Sequence, residues 1–194
     1  MALCTVADVE SHYFMSDSGT TPTLSSGVNS LIEDLIDQVT QIFETICGRT
    51  FASTEYTEYY SGNGTQYLYP DNYPITSVSG IWDDLSWDWD TSTLATASNY
   101  RIMDERAIIY KPGYVFYDYD QNVKIIYTAG YATAGIPKDL KLACIQEVVR
   151  MWKSRKDIDI TSESQTDGSI TRTSKELLPI TMETLNRYIR KVII

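Results

Sequence analysis

The apolar residues of this chain change period twice, and that limits its fold more than any other feature. Val28, Leu31, Ile32, Leu35, Ile36, Val39, Ile42, Phe43 and Ile46 recur at three- and four-residue steps, opposite Glu33, Asp34, Asp37 and Glu44. This spacing predicts a long amphipathic helix, which Gly48 ends by taking the left-handed conformation. After Phe51 the pattern becomes that of strands. Tyr56–Tyr60 and Thr65–Tyr69 flank Gly62, Asn63 and Gly64, which reads as a hairpin. Further strands are expected at Val78–Trp82, Tyr100–Met103, Ala107–Tyr110 and Val123–Tyr127, with a turn at Asp104–Glu105. Most of the tyrosines and all but one of the tryptophans lie in this stretch, as suits a pleated, half-buried surface.

The helical period returns after Pro137, a favourable first-turn residue. Leu140, Ala143, Cys144, Val148, Met151 and Trp152 form one stripe, to about Lys156. Residues 157–173 are polar and read as a flexible loop, or as a hairpin turning at Asp167–Gly168. A last helix over about Thr181–Val192 would bury Leu185, Tyr188, Ile189 and Val192. At the other end, Thr5 followed three residues later by Asp8 marks a short N-terminal helix to Phe14, and Ser16–Ser26 reads as a linker. The order predicts an α+β fold: a small helical bundle of three main helices and a short N-terminal one, interrupted by an inserted antiparallel β-domain. The expected boundaries are 1–54 with 129–194 for the helical part and 55–128 for the insertion.

Charge and rare residues narrow the function classes. Residues 1–54 carry one basic and seven acidic side chains, 55–126 four and eleven, and 127–194 eleven and eight, for a net charge of −10. A mostly acidic chain repels phosphate, which argues against binding DNA through its backbone. The basic last third could meet an acidic protein surface, or be no more than a solvated helix face. Cys4, Cys47 and Cys144 are odd in number and far apart, against a disulfide framework or a CxxC zinc site, and consistent with a reducing site of synthesis. The single histidine, His12, leaves little room for imidazole chemistry. No apolar run approaches the roughly 18–20 residues that cross a bilayer, and the first ten residues lack a signal-peptide pattern, so a soluble protein is expected.

No motif assembles a catalytic site, and neither cofactor nor metal is expected. Asp71, Asp83, Asp84, Asp88 and Asp90 lack the spacing of a calcium loop and read as a solvated acidic turn. Cys144 falls on an apolar stripe and reads as core. There is no G-x-S-x-G elbow, and Gly62-Asn63-Gly64 precedes a strand rather than the helix a dinucleotide site needs. Trp87 and Trp89, read as alternating on a strand, would share a face: a sheet core, a protein interface, or a platform for sugars. A carbohydrate-binding or other β-rich binding module is therefore the alternative function.

Several junctions together resemble the head–tail connector proteins of long-tailed bacteriophages, also called adaptor or head-completion proteins, in the larger variety with a β-insertion. They are Ile46-Cys47-Gly48-Arg49-Thr50-Phe51, then Glu58 to Gly64 followed by Tyr67-Leu68-Tyr69, and Tyr73-Pro74-Ile75-Thr76-Ser77-Val78. Val123 through Tyr127-Thr128-Ala129-Gly130-Tyr131 follows, and Ile136-Pro137-Lys138-Asp139-Leu140-Lys141 opens a helix reaching Arg155. The resemblance runs from about Val28 to Arg190 and rests on the order and spacing of motifs that are individually weak. It implies a non-enzymatic virion ring, commonly of twelve copies, that docks beneath the portal after packaging and completes the head. Its partners would be portal, neighbouring copies and the next connector, stopper or tail protein, with DNA passing through the channel without sequence-specific binding and no membrane involved. On this reading the chain is made in the host cytoplasm and ends in the virion at the head–tail interface. Arg187, Arg190, Lys191, Lys153, Arg155 and Lys156 become candidates for a portal or neighbour interface. Ser162, Ser164, Asp167 and Gly168 belong to a segment expected to order on assembly, and Trp87 and Trp89 are candidate exposed aromatics.

Overall fold

A computed structural model describes residues 1–14, 25–155, 162–165, 168–171 and 177–190. They form helices α1 (Val6–Val9, continued by a π-helical turn, Glu10–Phe14), α2 (Ser26–Cys47), α3 (Lys138–Ser154) and α4 (Pro179–Asn186). The strands are β1 (Thr54–Tyr60), β2 (Tyr67–Leu68), β3 (Ile75–Asp83), β4 (Tyr100–Met103), β5 (Ala107–Tyr110), β6 (Val123–Ala129), β7 (Ser162–Gln165) and β8 (Gly168–Thr171). The fold is α+β, as the two changes of period predict. Two compact units result: a helical one, Met1–Gly48 with Ile136–Ile189, and a β-unit, Arg49–Gly135, to which Arg190 also belongs. Among the described residues no helix is long and apolar enough to cross a membrane. Most of the linker expected at Ser16–Ser26 lies outside the described residues.

In the helical unit, α2 buries Ile32, Leu35, Ile36, Val39 and Phe43, and α3 buries Leu140, Ala143, Cys144, Ile145 and Val148. Each fully buried Ile, Val or Phe contributes about 1.5–3 kcal/mol relative to exposure. The start of α1 is the capping box read from sequence: Asp8 N–H donates to Thr5 Oγ1 (3.2 Å), and Thr5 N–H to Asp8 Oδ2 (2.9 Å). Lys141 Nζ lies 2.7 Å from Asp8 Oδ1, tying α1 to α3. Gly48, at φ 63°, ends α2 with its N–H on the Thr45 carbonyl (3.3 Å). Cys4, Cys47 and Cys144 are buried and none is in a disulfide, with Cys4 Sγ 3.6 Å from Cys144 Sγ.

Three sequence expectations change in this unit. Leu31 and Ile42, assigned to the buried stripe of α2, are 41% and 38% exposed. The last helix begins two residues early, with Pro179 in its first turn, and ends at Asn186 instead of reaching Val192. There Tyr188 Oη donates to Asp139 Oδ1 (2.6 Å) and Arg187 Nη1 lies 3.3 Å from Asp139 Oδ2, drawing the chain out of the helical path onto the start of α3. Glu147, absent from the expected stripe, is fully buried.

The β-unit has two three-stranded antiparallel sheets, ordered β1-β6-β3 and β2-β5-β4. Val123, Ile125, Tyr127 and Ala129 alternate inward from the central strand β6. They share one core with Leu68, Ile75, Ile81, Ile108, Tyr110 and Phe116. The β4–β5 hairpin turns at Asp104–Glu105, both at positive φ, as read from sequence. The hairpin expected across Gly62–Gly64 does not form. β1 pairs with β6, while β2 pairs with β5. Gly62 instead donates its N–H to Tyr119 O (3.1 Å) and Asn122 Oδ1 (2.9 Å), so the glycine segment carries the chain from one sheet to the other.

Tyrosines knit the β-unit together. Glu58 accepts from Tyr60 Oη, Tyr127 Oη (2.6 Å) and Asn72 Nδ2 (2.9 Å), and the two phenol oxygens accept the N–H groups of Asp71 (2.8 Å) and Asn72 (3.1 Å). Burial, aided by Glu58, pushes the Tyr60 and Tyr127 hydroxyls above the ordinary range, and burial does the same to Tyr110. In the unfolded chain these groups ionise near pH 10. Their raised folded values add stability that is fully present below that pH and lost progressively as pH climbs from there toward the raised folded values. The urea midpoint is therefore expected to hold from pH 8 to about 10 and to fall above it; a midpoint unchanged to pH 11 would contradict the burial of these hydroxyls.

Candidate assembly surfaces

Among the described residues, two of the basic side chains singled out from sequence, Arg187 and Arg190, are already held in ion pairs. Lys153 and Arg155 are exposed at the end of α3, where the Arg155 guanidinium stacks 3.6 Å from the Trp152 ring centroid. Arg187, its side chain 60% exposed, is held by Asp139, whereas Arg190 pairs with Asp71 in the β-unit. Lys156 and Lys191 lie outside the described residues. The carboxylates on the two arginines come from distant parts of the sequence, which periodicity cannot reveal.

The polar segment after α3 contains a two-stranded ribbon. Ser162 and Ser164 fall on β7 and Gly168 on β8, with Gln165 opposite Gly168. Gly168 is thus a strand residue, and Asp167 lies outside the described residues.

Trp87 and Trp89 are not on a strand. Both sit at positive φ, 61° and 53°, in a loop organised by the buried Asp84. Asp84 Oδ1 accepts from Ser86 N–H (2.8 Å) and Oγ (2.7 Å), and Oδ2 from Trp89 N–H (2.9 Å) and Thr93 Oγ1 (3.3 Å). The Ser86 hydrogen bonds, more than the others, hold the Asp84 carboxyl at about 2, below the usual carboxylate range. These bonds hold two bulky residues in a conformation they rarely adopt. The alternation that would have set both rings on one sugar-binding face is therefore absent. Trp89 is half-buried against Tyr59 (centroids 5.4 Å apart), while Trp87 is 53% exposed with Nε1 donating to Asp120 O (3.3 Å). Leu85, Tyr117 and Tyr119 are also exposed on these loops.

The neighbouring acidic side chains are engaged in structure. Asp83 accepts from Asn122 Nδ2 (2.7 Å) and Tyr117 N–H (3.1 Å), and burial raises its carboxyl above the usual range. Asp90 accepts from the Ser92 N–H (2.7 Å) and hydroxyl. Among the described residues no three His, Cys, Asp or Glu side chains gather to hold a metal ion.

Sequence reading missed two further surfaces. On the sheet β2-β5-β4, Ile109 stands opposite Tyr67 on one side and Arg101 on the other, while Leu68 and Ile108 turn into the core. Beside this row is a cleft of about 440 Å³ lined by Gln66, Asn99, Arg101, Ile109 and Lys111. On α2, the exposed Ile42 borders a second cleft of about 390 Å³ with Gln38, Thr45 and Ile46. Alternation within β5 and the one-basic-residue count before Thr54 were the signals that could have marked these faces.

Comparison with known proteins gives a consistent picture. Residues 5–192 match the model of a family described as head completion protein. Three similar solved chains belong to gene transfer agent (GTA) particles: the neck of an empty particle computed with C6 symmetry, the virion of a native particle, and the neck of a native particle computed with C12 symmetry. They are 14%, 16% and 14% identical, with TM-scores of 0.56, 0.56 and 0.54, and each alignment covers 97% of this chain and 90% of the other. At this identity the likeness is one of fold. No curated protein matches the chain.

Proposed function

The chain belongs to the head completion protein family, and from that premise we propose that it is a structural virion protein forming a ring between portal and tail. The observation that carries this reading is the family match across residues 5–192. The ring would dock beneath the portal once DNA is packaged, extend the channel, and offer its far side to the next connector, stopper or tail protein. Chains of the same fold occur in GTA necks with sixfold and twelvefold symmetry, which supports a ring, and twelve copies is the number the family resemblance favours. Its work is mechanical rather than catalytic, and its place is the head–tail interface of the particle.

The charge suits a channel. With 26 acidic against 16 basic side chains, the chain offers few phosphate-neutralising contacts, so DNA can slide past without being held. Where Lys153, Arg155 and Arg187 meet an acidic portal surface, complementary charge would set orientation and encounter more than affinity.

Light scattering tests the reading on the full chain, alone and mixed with its cognate portal rings. The expected result is a small species alone that joins the portal as a ring of defined stoichiometry. A chain that ignores its cognate portal at every concentration would overturn the proposal.

A further inference from the structure

We infer that neighbouring copies join head to tail, the outer face of α2 on one copy seating on the β2-β5-β4 sheet face of the next. This rests on the ring reading and specifies the surfaces that make the ring. The first surface is a helix face that the described residues leave exposed. Leu31 and Ile42 are 41% and 38% exposed, and steps of three, four and four residues set Asp34 and Gln38 between them on the same stripe. Asp37 flanks it, and the 22 residues of α2 include no Lys or Arg.

The second surface has the opposite character. Tyr67, Ile109 and Arg101 form a row across the sheet, and the adjacent cleft of about 440 Å³ adds Lys111. Arg101 and Lys111 are two of only four basic residues between positions 55 and 126. Arg106 and Lys124 are placed over the rings of Tyr73 and Trp82, and Lys111 over the ring of Tyr114, 5.2 Å from its centroid, with its ammonium in no ion pair among the described residues. Among the described residues no ion pair engages Arg101, Asp34 or Asp37.

Shape and charge fit together. The α2 ridge can enter the cleft beside the sheet row; apolar Leu31 and Ile42 match Ile109 and the flat Tyr67 ring, and two carboxylates face two cations. An acidic helix would be repelled by most of the β-unit, so the Arg101–Lys111 spot also sets register. A helix of 22 residues is about 33 Å long, enough for an interface of roughly 800 Å² per partner. A second copy is the occupant because one chain carries both halves of the match. Such heterologous contacts close into rings when the rotation permits.

Charge reversal in the full chain, assembled with its cognate portal and read by native mass and particle imaging, tests the pairing. R101E/K111E and D34K/D37K, all at exposed positions, are each expected to fold with unchanged melting and to lower ring incorporation by about tenfold or more. The fourfold variant is expected to recover most of it. If wild-type rings form and the reversed variants assemble equally well, or the fourfold variant fails to recover, this pairing is wrong while the ring reading stands. Absence of a wild-type ring would remove both.

Discussion

Replacing Glu147 by alanine is expected to lower the stability of the chain by about 3 kcal/mol, read as a fall in the urea midpoint. The side chain is fully buried on α3, and its two oxygens have separate duties. Oε2 accepts from Arg150 Nε at 2.6 Å, while Oε1 accepts the N–H of Leu178, also at 2.6 Å, in the residue that starts α4. Alanine leaves that N–H without its acceptor, deprives a largely covered guanidinium of its counter-charge, and opens a void where the carboxylate stood. Each loss is costly because water cannot replace the partner. Glutamine can still accept from Leu178 and fills the same space, so E147Q is expected to lose about half as much. A change below about 0.5 kcal/mol in E147A, the range of ordinary surface substitutions, would show that Glu147 does not anchor α4.

Gly62→Ala should be comparably damaging to the β-unit, at about 3 kcal/mol. A Cβ at this position would lie 1.8 Å from the Tyr117 carbonyl oxygen and 2.8 Å from its carbon. The obstacle is backbone, so no rotamer change relieves it. Moving the Phe116–Tyr117 strip would strain the bonds from Gly64 N–H to Phe116 O and from Phe116 N–H to Thr65 O, both 2.8 Å. It would also disturb the Phe116 ring, fully buried and stacked 4.3 Å from Tyr110. Loss of near-ultraviolet dichroism should accompany the loss of stability. Gly135→Ala, where nothing lies within 4 Å of an added Cβ, is the control and should stay within about 0.5 kcal/mol of wild type. Wild-type stability in G62A would mean that the two strips do not approach this closely.

What could be read from the sequence was local. The extents of α2 and α3, the capping box at Thr5, the stop at Gly48 and the Asp104–Glu105 turn each depend on residues within a few positions of one another. Strand partners were not legible: β1 meets β6 across about 70 residues, with Tyr56 opposite Tyr127, and nothing near Gly62 records that choice. The glycines signalled a change of direction, which is true of a crossing between sheets as much as of a hairpin.

The candidate surfaces were less legible for the same reason. Trp87 and Trp89 alternate as strand residues do, but Asp84-Leu85-Ser86 and Asp90-Thr91-Ser92 each place an aspartate two residues before a serine that it binds, a turn signature that outweighs alternation. Glu147 occupies the position three residues after Cys144 where an apolar residue belongs, and that exception marked a buried partner. The exposure of Leu31 and Ile42 depends on which side of α2 the other helices take.

The edges of the sheets carry a consequence for the chain before it meets its partners. β3 is interrupted by two register shifts, between Ile75 and Ser77 and between Val78 and Gly80, and β2 is only two residues long. β1, the opposite border of its sheet, bears Glu55 and Glu58. Bulged, short and charged borders are poor templates for strand-by-strand growth. On these three borders strand-by-strand growth is disfavoured, which leaves association there to side-chain surfaces that recognise one orientation.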